Sequence, residues 1–122
     1  MEITHTEYPN YDLVKVIGRI DSYTAPALST KLRSIMSTNR YNIILDMKEV
    51  VYVSSAGLRV MIDTQKTCRL DKRGETILLN LPQRVFETLE LAGFLVLYNV
   101  FNDLDSAINH FTNNDGEETI SE

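Results

Sequence analysis

The sequence has few of the residues on which covalent cross-links and metal sites usually depend. Its 122 residues include one cysteine, two histidines, five glycines and no tryptophan. A single cysteine excludes an internal disulfide, which is typical of proteins kept in a reducing compartment. The two histidines, His5 and His110, have neither metal-site spacing nor a neighbouring cysteine, so we interpret them as surface or edge residues. We therefore expect no disulfide framework, no bound metal and no cofactor.

An excess of basic residues and a long apolar run are also missing. The 17 acidic and 12 basic side chains give a formal net charge of −5, which argues against nucleic acid or an anionic membrane surface as the main partner. No apolar run approaches the roughly 20 residues that a membrane-spanning helix needs, so we expect no membrane insertion. The first residues lack a basic and then apolar leader. Together these features predict a cytoplasmic protein.

Motifs of catalysis are absent as well. The scattered glycines form no phosphate-binding loop, and the nucleophile elbow Gly-x-Ser-x-Gly does not occur. Cys68 lies in a helical apolar stripe, which favours packing over reactivity. Spacing alone leaves a Ser-His-Asp triad open, because such triads are assembled in space. We nevertheless expect a protein that is not an enzyme.

Regular apolar patterns are present along most of the chain. Two short strand patterns around Pro9 and Asn10 predict a hairpin. The continuous apolar residues of 42–47 predict a strand buried on both faces. Beyond the hairpin, helical and strand patterns alternate, which predicts an α/β fold: a mixed, largely parallel sheet with an N-terminal antiparallel hairpin and about four packed helices. Residues 1–112 are predicted to form a single domain, and residues 113–122 an acidic flexible tail.

Several local signals refine this outline. Thr24 is predicted to cap the first helix through its side chain. A further strand is predicted within residues 94–101. Asn102, with Asp105 three residues later, resembles a capping box for the last helix.

The most informative stretch joins a strand to a helix. A β-branched run ends at Ser54, and a helical pattern opens at Leu58. Ser54 is a good N-cap by its chemistry, so Ser55 is left with an outward hydroxyl at a helix start, where an anion is favoured. From the residues alone, Ser55 could equally be a small polar residue with no further role.

Two segments of the chain resemble the STAS domain of anti-sigma factor antagonists: Ser54-Ser55-Ala56-Gly57-Leu58-Arg59, and Gly18 to Leu28 with its Asp21. The resemblance implies a STAS-like fold and phosphorylation of Ser55 by the partner, an anti-sigma factor serine kinase. It also implies that a metal-dependent serine phosphatase reverses the modification. Ser54 stands where the family usually has Asp, which adds a second hydroxyl and makes Ser54 the alternative site.

The resemblance implies that partner binding involves Asp21, Ser54, Ser55, Gly57 and Arg59. Asp21 would contribute to kinase recognition, or would instead accept loop N–H bonds. Arg59 replaces the family's usual glycine and lies one helical turn after Ser55. It could pair with a phosphate on Ser55 or with an acidic group on the partner, or it could be a solvated surface arginine.

The resemblance implies partner switching as the function. The unphosphorylated chain would bind the anti-sigma factor, and phosphorylation of Ser55 would release it. The alternative is a STAS scaffold, or an accessory subunit, of a stress-signalling complex or a lipid transporter.

Overall fold

The structure, a computed structural model, describes the backbone of residues 1–120 and the side chains of residues 1–113. The strands are β1 (Glu2–Glu7), β2 (Asp12–Ile20), β3 (Asn42–Val53), β4 (Glu75–Leu79) and β5 (Val100–Phe101). The α-helices are α1 (Ala25–Met36), α2 (Ser55–Arg69), α3 (Gln83–Leu91) and α4 (Leu104–Ile120). Short 3-10 turns lie at Leu70–Lys72 and Leu95–Leu97.

The five strands form one sheet in sequence order, β1 to β5. β1 pairs antiparallel with β2, and every later pair is parallel. Each parallel pair is joined by a helix, since a parallel connection has to return along the length of the sheet. The predicted α/β fold, with its N-terminal hairpin, largely parallel sheet and four helices, is confirmed.

The helices cover both faces of the sheet. Ile43 and Leu45 of β3 pack in the cluster that contains α1, α2 and α3, whereas Ile44 packs in a second cluster with α4. All three side chains are fully buried. The first half of β3 is therefore covered on both sides, as the continuous apolar run predicted.

β3 is longer than the sequence indicated. It runs for 12 residues, from Asn42 to Val53, but its pairing with β4 ends at Asp46. Beyond that point it pairs with β2 alone, and the register between these two strands shifts twice. Such bulges add residues to one strand and disturb the period of two on which strand prediction rests. The extension brings the end of β3 beside the end of β2.

The strand predicted within residues 94–101 is confined to Val100–Phe101. The residues before it fold onto α2 instead: the Tyr98 hydroxyl donates to the Met61 carbonyl at 2.5 Å, and the Gln65 amide donates to the Leu97 carbonyl at 2.7 Å. Gln65 also exchanges two hydrogen bonds with the backbone of Thr76 in β4. These bonds hold Leu97 and Tyr98 against α2, so the chain before Val100 does not continue the strand.

The last helix is capped by Asp103, so the prediction of Asn102 was wrong by one residue. The Asp103 carboxylate accepts the backbone N–H of Ser106 at 2.8 Å and its hydroxyl at 2.9 Å. These bonds lower the pKa of Asp103. A short carboxylate at this position satisfies one of the N–H groups that a helix start leaves unpaired.

Most side chains of the acidic tail predicted at residues 113–122 lie outside the part of the chain that the structure describes. The tail and the domain boundary at residue 112 therefore stay predictions. Within the part of the chain that the structure describes, no helix is both long and apolar enough to cross a bilayer.

Candidate docking and modification site

Ser54 joins β3 to α2 and is fixed from two directions. Its Oγ accepts a hydrogen bond from the Gly57 N–H at 3.3 Å, so it caps α2 as predicted. Its own N–H donates to the Ile20 carbonyl at 2.8 Å. The second bond ties the end of β3 to the end of β2 and sets where α2 begins.

Gly57 lies against the end of β2 and is buried. A Cβ at this position would lie 2.7 Å from Cγ2 of Ile20 and 3.0 Å from Cγ1 of Val53. Real side chains essentially never approach so closely, so only glycine lets the first turn of α2 rest on these two residues. The structure thus places this predicted partner-binding residue under the surface, where it sets the position of its neighbours.

Ser55 is the first residue of α2, and its side chain is exposed. Within the described residues its hydroxyl makes no hydrogen bond, whereas that of Ser54 is engaged as the cap. The helix start adds unpaired N–H groups and partial positive charge around it. Of the two serines, Ser55 therefore offers the freer hydroxyl, in a place where added negative charge is tolerated.

Asp21 lies in the loop between β2 and α1. Its Oδ1 accepts the backbone N–H groups of Tyr23 at 3.0 Å and Thr24 at 3.1 Å, and Arg19 lies 3.8 Å from Oδ2. Burial alone would raise the pKa of Asp21, but the hydrogen bonds from Thr24 and Tyr23, with the charge of Arg19, outweigh it and lower that pKa. Asp21 is therefore an ionised carboxylate that shapes the loop. Its part in kinase recognition stays a prediction.

Thr24 precedes α1, as predicted, but its side chain does not cap the helix. Its Oγ1 instead accepts the Asp21 N–H at 2.8 Å and lies 2.8 Å from the Arg19 carbonyl, to which it donates. The hydroxyl is thus used to close the loop that carries Asp21.

An open groove of about 520 Å³ runs between α1 and α2, and Ser55 is one of its lining residues. Its charged lining residues are Arg33 from α1 with Arg59 and Asp63 from α2. Arg59 is exposed and, within the described residues, makes neither a hydrogen bond nor an ion pair. The groove therefore brings together Ser55 and Arg59, two residues that the sequence placed one helical turn apart.

Exposed aromatic residues beside this site were missed by the sequence reasoning. Tyr52 of β3 is 42% exposed, and the guanidinium of Arg19 lies 4.4 Å from the centre of its ring. Tyr23, in the Asp21 loop, is 92% exposed. Tyrosine and arginine are enriched where protein interfaces carry most of their binding energy. In the sequence, Tyr52 is one residue of a run that ends at Ser54, and the pattern gave no sign of its exposure.

The histidines and the cysteine lie away from this site. The His5 Nε2 is 2.6 Å from the Asp12 carboxylate, and the His110 Nε2 is 2.5 Å from the Glu75 carboxylate. Cys68 is fully buried, and burial raises the pKa of its thiol, which confirms the packing role. Among the described residues, no cluster of three or more His, Cys, Asp or Glu side chains could hold a metal ion.

Comparison with known proteins gives consistent matches over nearly the whole chain. The family model of the STAS domain matches residues 2–107. A candidate anti-sigma factor antagonist, BtrV of Bordetella bronchiseptica, is 30% identical over 107 residues, which are 88% of this chain and 91% of that protein. The anti-sigma-B factor antagonist of Listeria monocytogenes is 29% identical over 102 residues, covering 84% of this chain and 88% of that protein.

A solved structure supports the same fold. The Bacillus cell fate determinant SpoIIAA, in its phosphorylated form, superposes with a TM-score of 0.71 over 89% of this chain and 98% of its own. The two sequences are 14% identical, so the likeness shows the architecture alone.

Proposed function

This chain belongs to the STAS domain family of anti-sigma factor antagonists, and we propose that it acts by partner switching. In its unphosphorylated form it binds an anti-sigma factor that is a serine kinase. That kinase phosphorylates Ser55, and the complex then dissociates. A metal-dependent serine phosphatase restores the binding form, and the exchange takes place in the cytoplasm. The chain itself is a regulatory binding protein and carries out no reaction.

One observation carries this proposal: Ser55 presents an exposed hydroxyl with no hydrogen bond within the described residues, at the first position of α2. A kinase has to reach the acceptor oxygen and place it in line with the γ-phosphate. The adjoining Ser54 is engaged by the Gly57 N–H and is less exposed. The geometry therefore favours Ser55 over Ser54 as the modified residue.

The physical effect of the modification supports a switch in affinity rather than in fold. A phosphoserine carries about −1.5 to −2 charges near neutral pH, and a helix start accommodates such an anion. Within the described residues the Ser55 hydroxyl makes no hydrogen bond, so the modification breaks none there. On a docking surface, however, the phosphate has to be desolvated or to face the partner's own charges, which can cost several kcal/mol.

The surface around Ser55 has the composition of a protein contact. Tyr23 and Tyr52 supply exposed aromatic area, and Arg19, Asp21 and Arg59 supply charge. Exposed Tyr and Arg side chains in such numbers favour a protein partner over a small ligand. We therefore include Arg19, Tyr23 and Tyr52 in the kinase-binding surface, together with Asp21, Ser55 and Arg59.

The experiment is phosphorylation by the anti-sigma factor kinase of the source organism with ATP, followed by mass spectrometry of the native chain, Ser55→Ala and Ser54→Ala. One phosphate is expected on the native chain and on Ser54→Ala, and none on Ser55→Ala. Circular dichroism of each variant provides the folding control. Modification that survives in Ser55→Ala and is lost in Ser54→Ala would move the site by one residue.

A binding measurement separates this function from the alternative. The kinase should bind the native chain and Ser55→Ala, but should bind Ser55→Asp at least about tenfold more weakly, a loss of about 1.4 kcal/mol. Equal affinity for all three would contradict the switch. Capture of transporter subunits instead of a kinase from cell extract would favour the scaffold or accessory role.

A further inference from the structure

The groove between α1 and α2 has a net positive charge. Its charged lining residues, Arg33, Arg59 and Asp63, sum to a charge of +1. The whole chain, by contrast, has a formal net charge of −5. Within the described residues neither arginine side chain forms a hydrogen bond or an ion pair, whereas Arg19, Arg40, Arg69 and Arg73 all have such partners.

The position of Arg59 relative to Ser55 favours an interaction between them once Ser55 is charged. The two residues are four apart on the exposed face of α2, and side chains at this spacing are neighbours on a helix. Long helical side chains lean toward the N-terminus of their helix, so Arg59 leans toward the turn of Ser55. An anion that precedes a cation by four residues is also the more favourable order of such a pair.

Asp63 is the competing partner for Arg59 in the unmodified chain. It lies four residues after Arg59 in the same groove, but this order of cation and anion is the weaker one. Within the described residues the two side chains form no ion pair. Arg59 is thus available to an anion that appears on its other side.

We propose that Arg59, with Arg33 across the groove as a weaker second contact, holds the phosphoryl group of phosphorylated Ser55. The inference rests on the proposed function, since Arg59 has this role only in the modified chain. A phosphate can accept charge-assisted hydrogen bonds from a guanidinium on two of its oxygens. Ser54 has no equivalent, because the residue four positions after it is Leu58.

The pairing would make phosphorylation change the docking surface in two ways at once. It adds a dianion at Ser55, and it withdraws the guanidinium of Arg59 from any acidic group of the partner. The loss of affinity for the partner then has two sources, the added phosphate and the withdrawn guanidinium. Arg59 acts here as a positioning residue. It contacts the phosphoryl group already on Ser55 and takes no part in the transfer of that group by the kinase.

The test uses full-length protein with phosphoserine inserted at position 55 during translation, so that no kinase is needed. Phosphorus-31 NMR follows the titration of the phosphate in the native chain, Arg59→Ala, Arg33→Ala and Arg84→Ala. Arg84 is the matched control: it is exposed on α3, and its side chain has no partner within the described residues. An arginine that pairs with the phosphate favours its dianion and lowers the pH at which it titrates.

The expected result is a titration midpoint that rises by about 0.4 pH unit in Arg59→Ala, the equivalent of a helix pair of about 0.5 kcal/mol. The rise should be smaller in Arg33→Ala, absent in Arg84→Ala, and abolished by about 0.5 M salt. A midpoint in Arg59→Ala equal to that of the native chain overturns the inference. A rise in Arg84→Ala as large as in Arg59→Ala also overturns it, because the effect would then be one of net charge.

The outcomes separate this inference from the function on which it rests. Since the phosphoserine is inserted during translation, a negative NMR result leaves Ser55 phosphorylation by the kinase untouched. A kinase that fails to modify Ser55 removes the proposed function without altering the titration. No shift in Arg33→Ala, beside a clear shift in Arg59→Ala, removes Arg33 from the proposed contact.

Discussion

Replacing Gly57 with alanine should destabilise the protein, although alanine is the better helix former. The added methyl group would lie 2.7 Å from Cγ2 of Ile20, 3.0 Å from Cγ1 of Val53 and 3.2 Å from the Ile20 carbonyl oxygen. Ile20 is fully buried and Val53 is 5% exposed, so neither side chain can turn away into solvent. The first turn of α2 would have to move off β2.

Two opposing contributions set the size of the effect. Inserting a methyl group into a well-packed site typically costs about 1 to 3 kcal/mol. Exchanging glycine for alanine within a helix returns about 1 kcal/mol. The free energy of unfolding should therefore fall by up to about 2 kcal/mol, and the displaced turn should also move Ser55 and weaken binding of the kinase.

Urea denaturation followed by circular dichroism measures the first effect, and titration with the kinase measures the second. Thr30→Ala is the matched control, because Thr30 is an exposed position of α1 whose side chain makes no hydrogen bond within the described residues. That variant should be as stable as the native chain or slightly more so. A Gly57→Ala protein at least as stable as the native chain would refute the close contact of α2 with β2.

Five further variants test individual contacts of the site and its support. Ser54→Ala should lose about 1 kcal/mol of unfolding free energy with the cap, whereas Ser55→Ala should stay within about 0.5 kcal/mol, both by urea denaturation. Because the pKa of Asp21 is lowered in the folded state, its contribution to stability is present above its unfolded pKa and disappears as pH falls through the folded value. Between about pH 5 and 2, Asp21→Asn should therefore lose less stability than the native chain, and parallel losses would contradict the loop geometry. Gln65→Leu should lower the free energy of unfolding by about 3 kcal/mol or more, because it leaves backbone groups of Thr76 and Leu97 without their hydrogen-bond partner. Tyr98→Phe removes one hydrogen bond and should cost about 1 kcal/mol. Equal losses for the two variants in thermal melts would contradict the buried network.

The parts of the fold that the sequence predicted well depend on neighbours in the chain. The apolar run of residues 42–47 predicted a strand covered on both faces, and the chemistry of Ser54 predicted a helix cap. The outward hydroxyl of Ser55 follows from that cap. These features need no knowledge of distant contacts, because each is set by the local pattern.

The parts that the sequence did not predict depend on residues far apart in the chain. The bulges that extend β3 arise from its pairing with β2, and they expose Tyr52 beside Arg19. The short β5 reflects bonds from Leu97 and Tyr98 to α2, more than 30 residues earlier. The buried position of Gly57 likewise depends on Ile20. A pattern read along one strand or helix contains none of these contacts.

The site separates the residues that hold the helix start from Ser55, the residue proposed to be modified. Ser54 and Gly57 carry the contacts with β2 and the cap, and Ser55 carries none within the described residues. A perturbation of Ser55 should therefore change the affinity for a partner with little change in the free energy of unfolding, whereas perturbations of its neighbours should change both. This separation is what a reversible modification requires, because the added phosphate has to alter binding in a protein that stays folded through each cycle.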